Sequence, residues 1–351
     1  MEDVEPGPAS SNGTGAVLRN GLPGRAQSRR VQHVREVLAR GGLIGCAAFS
    51  VVTTFMIVGV LLGESLTFFR PGEGGGADLW EFLTGGTWSP LLGSEHHFGV
   101  WPLISGTVLV AGIAAALAIP LGLITAIFLS EYAPAPLRAI LKPVLEVLAG
   151  IPTVVYGFFA LTIITPALQG AGRWFTQSEL GAWLGSATGW WRAGDPLFEA
   201  YNATSAGIAV AIMCLPIVTS LSEDALRAVP RGLREGAYAL GGTRFDVSVK
   251  VVVPAALSGV IAAFLLAIAR AVGETMAVSL AAGGLANLTL NPTESVQTMT
   301  GWMVQIFLGD ASNFGPEYRS AYAVAMVLFV MTFALTLIGG RVLKRFREEY
   351  E

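Results

Sequence analysis

Residues 222–259 read SEDALRAVPRGLREGAYALGGTRFDVSVKVVVPAALSG and join two apolar stretches. Glu235 to Leu240 favour a short helix of small residues. Gly241-Gly242 stops it, because glycine takes up left-handed backbone without a Cβ penalty. Pro254 suits the first turn of the next apolar helix, where a missing N–H costs nothing. The pattern predicts a compact helix held between two stiff arms, shaped to dock in a groove of another protein. The small Gly236 and Ala237 are expected to let that protein approach closely.

Composition sets the solvent on either side of this loop. The chain has 351 residues, 53% hydrophobic and 13% charged, with mean hydropathy +0.60, whereas soluble domains carry about 25% charged residues. The charges cluster between apolar stretches of about 20 residues, the length that crosses a bilayer. The expected fold class is an all-α integral membrane protein with six transmembrane helices, at roughly 42–69, 103–130, 139–168, 204–222, 254–282 and 321–343. The organisation read from this is a largely disordered cytoplasmic tail over 1–41 and a first helix over 42–69. An extracytoplasmic loop (70–102) follows, then a core of five helices (103–343) with a cytoplasmic loop at 223–253, and a cytoplasmic C-terminus at 344–351. Pro120, Pro152, Pro166 and Pro216 interrupt the second, third and fourth spans, which predicts kinked helices whose freed carbonyls are satisfied by neighbouring protein.

Lysine and arginine set the orientation. Arg19, Arg25, Arg29, Arg30, Arg35, Arg40, Arg138, Lys142, Arg227, Arg231, Arg234, Arg244, Lys250, Arg341, Lys344, Arg345 and Arg347 fall on one side. Only Arg70, Arg173, Arg192 and Arg319 fall on the other. Both termini are therefore expected in the cytoplasm. All eight tryptophans (Trp80, Trp88, Trp101, Trp174, Trp183, Trp190, Trp191, Trp302) lie on the side poor in positive charge. Indole prefers the bilayer interface, so segments 70–102, 169–203 and 283–320 are expected to pack against the outer leaflet. No signal peptide is read at the N-terminus, which lacks an apolar h-region before a cleavage site. Cys46 and Cys214 read as small buried hydrophobes. The Asn-x-Thr triplets at Asn12, Asn202 and Asn287 read as chance. His96 and His97, beside Glu95, lack a third ligand at helical spacing, so no metal is expected there.

Within the fifth span, IARAVGETMAVSLAAGG places Arg270 and Glu274 near mid-membrane. An arginine there costs about 2.5–3.5 kcal/mol on insertion scales, so it must face a bundle interior or a watery cavity. At i and i+4 on a continuous helix the two side chains would share a face about 6 Å apart and partly neutralise each other. Gly273 would leave room beside them. The plain alternative is an ion pair that merely orients helices. The functional reading is an anion site, since the guanidinium fork matches phosphate and carboxylate oxygens.

Two resemblances sharpen this. Glu235-Gly236-Ala237, Gly241 and Val251-x-Val253-Pro254 resemble the E-A-A-x3-G-x9-I-x-L-P motif of ABC importer permeases, with Gly236 replacing the first alanine and valines the aliphatic pair. The run from Ala269 to Val278, ARAVGETMAV, resembles the signature of phosphate ABC transporter permeases. LAGIPTVVYG at 148–157, SEDALRAVP at 222–230, and NPT at 291–293 continuing to QTMT at 297–300 resemble the PstC branch. The similarity runs from about Phe82 to the last span. It implies a type I ABC importer permease fold in the cytoplasmic membrane of a prokaryote. It implies a PstA-type permease partner, PstB-type ATPase subunits that bind ATP and Mg, and an extracytoplasmic PstS-type phosphate-binding protein. Arg270, Glu274 and Thr275 would then lie on the substrate pathway, and Glu235, Gly236, Ala237, Gly241 and Pro254 would couple to the ATPase.

The chain has no G-x-x-x-x-G-K-[ST] loop, so no cofactor and no ATP hydrolysis of its own are expected. Nothing points to nucleic acid. Two rivals stand beside the phosphate reading: an ABC permease for another oxyanion such as sulfate or molybdate, and a gradient-driven secondary anion transporter. The cytoplasmic docking helix separates the latter, which has no need of one.

Overall fold

The computed structural model describes residues 24–70, 77–91, 96–188, 196–310 and 315–345. Its helices in chain order are α1 (Gly24–Phe68), α2 (Leu79–Thr84), α3 (Trp101–Ile127), α4 (Ala135–Ala149), α5 (Thr153–Phe159), α6 (Thr165–Gln177), α7 (Glu179–Thr188) and α8 (Ala203–Ala228). They continue with α9 (Arg231–Ala239), α10 (Arg244–Val247), α11 (Val253–Ala255), α12 (Leu257–Val272), α13 (Met276–Ala281), α14 (Met299–Gln305) and α15 (Pro316–Arg345). A two-residue antiparallel ribbon pairs β1 (Trp88–Ser89) with β2 (His97–Phe98). The chain divides after Gly59 into two compact units.

Among the described residues, five helical stretches are long and apolar enough to cross a membrane: Arg35–Phe68, Trp101–Tyr132, Thr153–Gln177, Ala203–Ala228 and Pro316–Arg345. The pair Arg244–Ala255 and Leu257–Val272, bent by 73°, makes a sixth. The molecule is thus an all-α integral membrane protein, but three expectations need correction. The tail read as disordered to residue 41 is helical from Gly24 onward, continuous with the first span; residues 1–23 lie outside the described part. The third span, expected at 139–168, is divided at Gly150-Ile151-Pro152 into α4 and α5, and its long apolar stretch shifts to Thr153–Gln177. Proline biases its preceding residue away from α geometry, and here the helix ends before it. Pro254 does not open the fifth span. It lies in α11 behind a π-helical turn, Ser248–Val252, and the span proper starts beyond the bend at Ala256.

α3 and α8 form the centre. Lipid tails give helices no hydrophobic reason to associate, so membrane bundles rely on small residues that let backbones approach. Here Gly122 lies so close to Val218 that a Cβ would come within 2.6 Å of it, and Gly207 meets Ile113 at the same distance. Ala111, Ala114 and Ala118 of α3 pack with Ala206, Val210 and Cys214 of α8 and Ala267 and Ala271 of α12. The Asn202 side chain, fully buried, caps α8 by accepting from the Ser205 amide at 2.7 Å. That capping role accounts for this Asn-x-Thr triplet. Cys214 is buried as expected, whereas Cys46 is exposed on α1.

The tryptophans do not behave as one class. Trp88 and Trp302 are buried in an aromatic cluster with Phe68, Phe82 and Phe98, their rings edge to face at 5.2 Å. Trp302 also donates its indole N–H to Ser320 Oγ at 3.1 Å. Trp80, Trp174 and Trp183 are more than 60% exposed, as an interfacial role requires; Trp190 and Trp191 lie outside the described residues. His96 contacts the Pro90 carbonyl, and His97 the Glu81 carboxylate. Nor does segment 283–320 simply line an outer leaflet. Residues 295–300 are buried, with Met299 N–H donating to Thr107 Oγ1 on α3 at 3.0 Å.

Candidate functional site

The fifth span breaks where the charged residues sit. α12 ends at Val272, Gly273 caps it with φ −87° and ψ 1°, and α13 begins at Met276. Arg270 and Glu274 are therefore not on one continuous helix, and among the described residues they form no ion pair. Glu274 is 7% exposed. Its Oε1 accepts from the Ala277 amide at 3.3 Å, and its carbonyl accepts from Thr300 Oγ1 at 2.7 Å. The carboxylate thus serves an amide left free at the start of α13. Thr275 closes the break: its carbonyl accepts from both the amide and the hydroxyl of Ser279, at 3.0 and 2.7 Å.

Arg270 has a different environment. It is exposed, along with Leu266 and Gly273 on the same side of α12, and it has no hydrogen bond or ion pair among the described residues. A guanidinium in an apolar span with no hydrogen-bond or ion-pair partner among the described residues has water, another chain or an anion left to meet. The break also touches the third span. At Gly157 of α5 a Cβ would lie 2.9 Å from Ala277 Cα, so the two broken spans meet just past their breaks. A cleft of about 540 Å³ opens beside this contact, lined by Val154, Leu161, Met276 and Leu280 and by the polar groups of Ser279, Gln297 and Gln305. Gln297 Nε2 donates to Gln305 Oε1 at 2.7 Å. Neither Arg270 nor Glu274 lines that cleft.

The second predicted site forms as a helix. Glu235, Gly236 and Ala237 lie in α9, which has no buried residue. It ends in a Schellman turn: Gly241, at φ +84°, donates to the Tyr238 carbonyl at 2.9 Å and Gly242 to the Ala237 carbonyl at 3.1 Å. Glu235 and Gly236 are exposed, and Gly236 has no atom within 4 Å of where its Cβ would be. Ala237 departs from expectation. It is half-buried and packs inward against the cluster around Ala126, Leu226 and Val247, so it anchors the helix instead of opening its outer face.

Two sets of polar contacts escaped the sequence reading, which took Arg234 and Lys142 only as positive loop charges. Arg234 donates to Glu131 Oε1 and to the Leu226 and Val229 carbonyls. Lys142 of α4 bonds both Glu223 Oε2, at 2.8 Å, and Asp224 Oδ1 at the end of α8. Burial of Lys142 alone would lower its pKa, but the bonds to Asp224 and Glu223 outweigh that and hold it above the ordinary lysine value. At the foot of the arm, the hydrogen bond from Lys250, helped by Thr243, keeps the Asp246 carboxyl below its usual range. Neither contact has a local sequence signature, since the partners lie 103 residues apart for Arg234–Glu131 and 81 for Lys142–Glu223.

A family described as binding-protein-dependent transport system inner membrane component matches residues 118–348. The probable ABC transporter permease protein YqgH of Bacillus subtilis is 33% identical over 89% of this chain and 92% of its own. The phosphate transport system permease protein PstC of Mesorhizobium japonicum is 35% identical over 76% and 79%. In a crystal structure of a bacterial ABC transporter that imports alginate, one chain superposes with a TM-score of 0.58 at 13% identity, covering 90% of this chain and all of that one; at that identity the likeness concerns the fold. The chain belongs to the family of binding-protein-dependent transport system inner membrane components, as a permease subunit of an ABC importer with the type I fold.

Proposed function

We propose that this permease carries inorganic phosphate, and that Arg270 meets the anion in transit. The observation that carries the reading is the exposed guanidinium on α12, one turn before a helix break and without a hydrogen-bond or ion-pair partner among the described residues. A fork of five N–H donors fits a tetrahedral oxyanion bidentately. Because Glu274 is occupied with the Ala277 amide, it does not neutralise Arg270 in this conformation, which leaves the cation free for a ligand. The PstC-type relatives at 30–35% identity support phosphate over other oxyanions.

On this reading both termini and α9 face the cytoplasm. A PstA-type subunit covers the face bearing Arg270, PstB-type subunits that bind ATP and Mg dock on Glu235, Gly236 and the Gly241 turn, and a PstS-type protein delivers phosphate from outside. Pro254 stiffens the arm that leads from the docking helix into the span. The test is uptake of labelled phosphate by proteoliposomes holding the whole complex, with ATP inside and ion gradients collapsed. Competition by sulfate and molybdate reads the specificity. Uptake that follows the gradient and ignores ATP sinks the importer assignment; displacement by sulfate as efficient as by phosphate sinks the choice of anion.

A further inference from the structure

We propose that Arg234 and Glu131 form the clasp through which force on the docking helix α9 reaches the membrane-spanning helices; the role rests on the importer reading and names the residues that carry its motion. α9 joins α8 through Val229-Pro230, where the backbone turns extended at Val229 (ψ 129°). The helical hydrogen-bond ladder is interrupted at this joint, so between α8 and α9 the main chain alone is held by torsions, of which Pro230 restricts only some. Arg234 closes over it. Nη1 donates to the Val229 carbonyl at 2.6 Å, and Nη2 to the Leu226 carbonyl at 2.8 Å and to Glu131 Oε1 at 3.1 Å.

Each partner is chemically apt. The Leu226 carbonyl lies in the last turn of α8 and also accepts from the Val229 amide at 3.4 Å, while Val229 is the C-cap residue, so the cation sits at the negative end of the helix. Glu131 lies in the π-helical turn Phe128–Tyr132 that continues α3. One guanidinium therefore ties α9 to the ends of α3 and α8, the two helices that form the centre of the bundle. The pair is secluded, with side-chain exposures of 17% for Arg234 and 7% for Glu131, so solvent screens it little and a lost partner is felt. Its planar fork reaches the three acceptors from two nitrogens in fixed geometry, whereas a lysine would have to serve them all from one nitrogen on a flexible stem. Ala237, packed inward one turn on, holds the same side of α9 against the bundle. The opposite side, with Glu235, Tyr238 and Leu240 (91% exposed), is left for the docking partner.

The test compares wild type with Arg234→Ala, Arg234→Lys and Glu131→Gln in the assembled complex in proteoliposomes, reading ATPase co-purification, ATP hydrolysis and phosphate uptake. The docking face is intact in all three, so the ATPase subunits are expected to co-purify. Uptake per ATP hydrolysed should fall about tenfold in Arg234→Ala and several-fold in Glu131→Gln, the range of coupling energies carried by such contacts. Arg234→Lys should lie between Arg234→Ala and wild type. A purely stabilising role would lower the yield of complex and leave that ratio alone. An unchanged ratio in Arg234→Ala overturns the clasp. Should that variant fail to assemble, Glu131→Gln decides, since it keeps both carbonyl bonds and a hydrogen-bonding side chain; wild-type coupling there also overturns it. A wild-type complex whose uptake ignores ATP overturns the importer reading and the clasp together, which separates the two failures.

Discussion

Glu274 accepts a hydrogen bond from the Ala277 amide at 3.3 Å and leaves Arg270, one turn earlier in sequence, without an ionic partner among the described residues. The two charges therefore have separate duties in this conformation. Glu274 holds the break closed, and Arg270 is available to a ligand or a neighbouring chain.

The first prediction follows from that separation. Arg270→Gln should abolish uptake while the complex assembles at wild-type yield, because the side chain makes no hydrogen bond or ion pair among the described residues. Normal uptake in that variant would remove Arg270 from the pathway. A thermal-stability cycle of Arg270→Gln and Glu274→Gln should show an interaction energy under about 0.5 kcal/mol, the level of additive sites. A coupling of several times that would mean the two are paired in the resting protein.

Part of this was legible in the chain and part was not, for physical reasons. Glu235, Gly241 and Pro254 are read by spacing, and a Schellman turn at Gly241-Gly242 is a local event that local sequence dictates. The break at 273–275 was hidden because Ala269 to Val278 keeps an apolar helical pattern in which Gly273 alone signals an interruption. The fate of Ser295, Gln297, Thr298 and Thr300 was hidden in the opposite way. Segment 283–320 is expected to lie along the outer leaflet, yet Ser295, Gln297 and Thr300 are buried against the Ala282 carbonyl, Gln305 and the Glu274 carbonyl, and Thr298 caps α14 through the Gly301 amide. Long-range satisfaction of that kind leaves no periodic trace.

The contact between the two broken spans supplies the second prediction. Gly157→Ala would force a methyl group to 2.9 Å from Ala277 Cα, with the Ala277 carbonyl and the Leu280 side chain nearly as close. Overpacking of this kind costs about 1–3 kcal/mol. The melting temperature of the purified complex should fall by several degrees, and Gly157→Val should fall further. A melt unchanged by both would show that the spans part easily at this point.

Gly236 behaves oppositely, which makes the third. It lies in α9 with open space around it, so Gly236→Ala adds no clash there and gains up to about 1 kcal/mol of helix propensity. It also restores the alanine of the motif. Uptake and ATPase co-purification should stay at or above wild type. A loss of co-purification would mean that the partner approaches this position more closely than a methyl group permits.

The last concerns the tie between α4 and α8. Lys142 holds Glu223, whose side chain is 1% exposed, while Arg227 stands 3.6 Å from the other oxygen of that carboxylate. Lys142→Met strips the closer partner from a buried charge, a change that costs about 3 kcal/mol, moderated here by Arg227. The pH dependence has a definite sign. The folded-state pKa of Lys142 is raised above the ordinary lysine value, so its contribution is complete below the unfolded value and is lost as pH rises through the folded one. Stability should therefore stay level for this group from neutral to pH ~10 and decline only beyond it. The wild-type decline above that point should exceed that of Lys142→Met, measured as melting temperature against pH on the intact complex. Equal declines in the two proteins would mean that the α4–α8 tie contributes nothing through its charge.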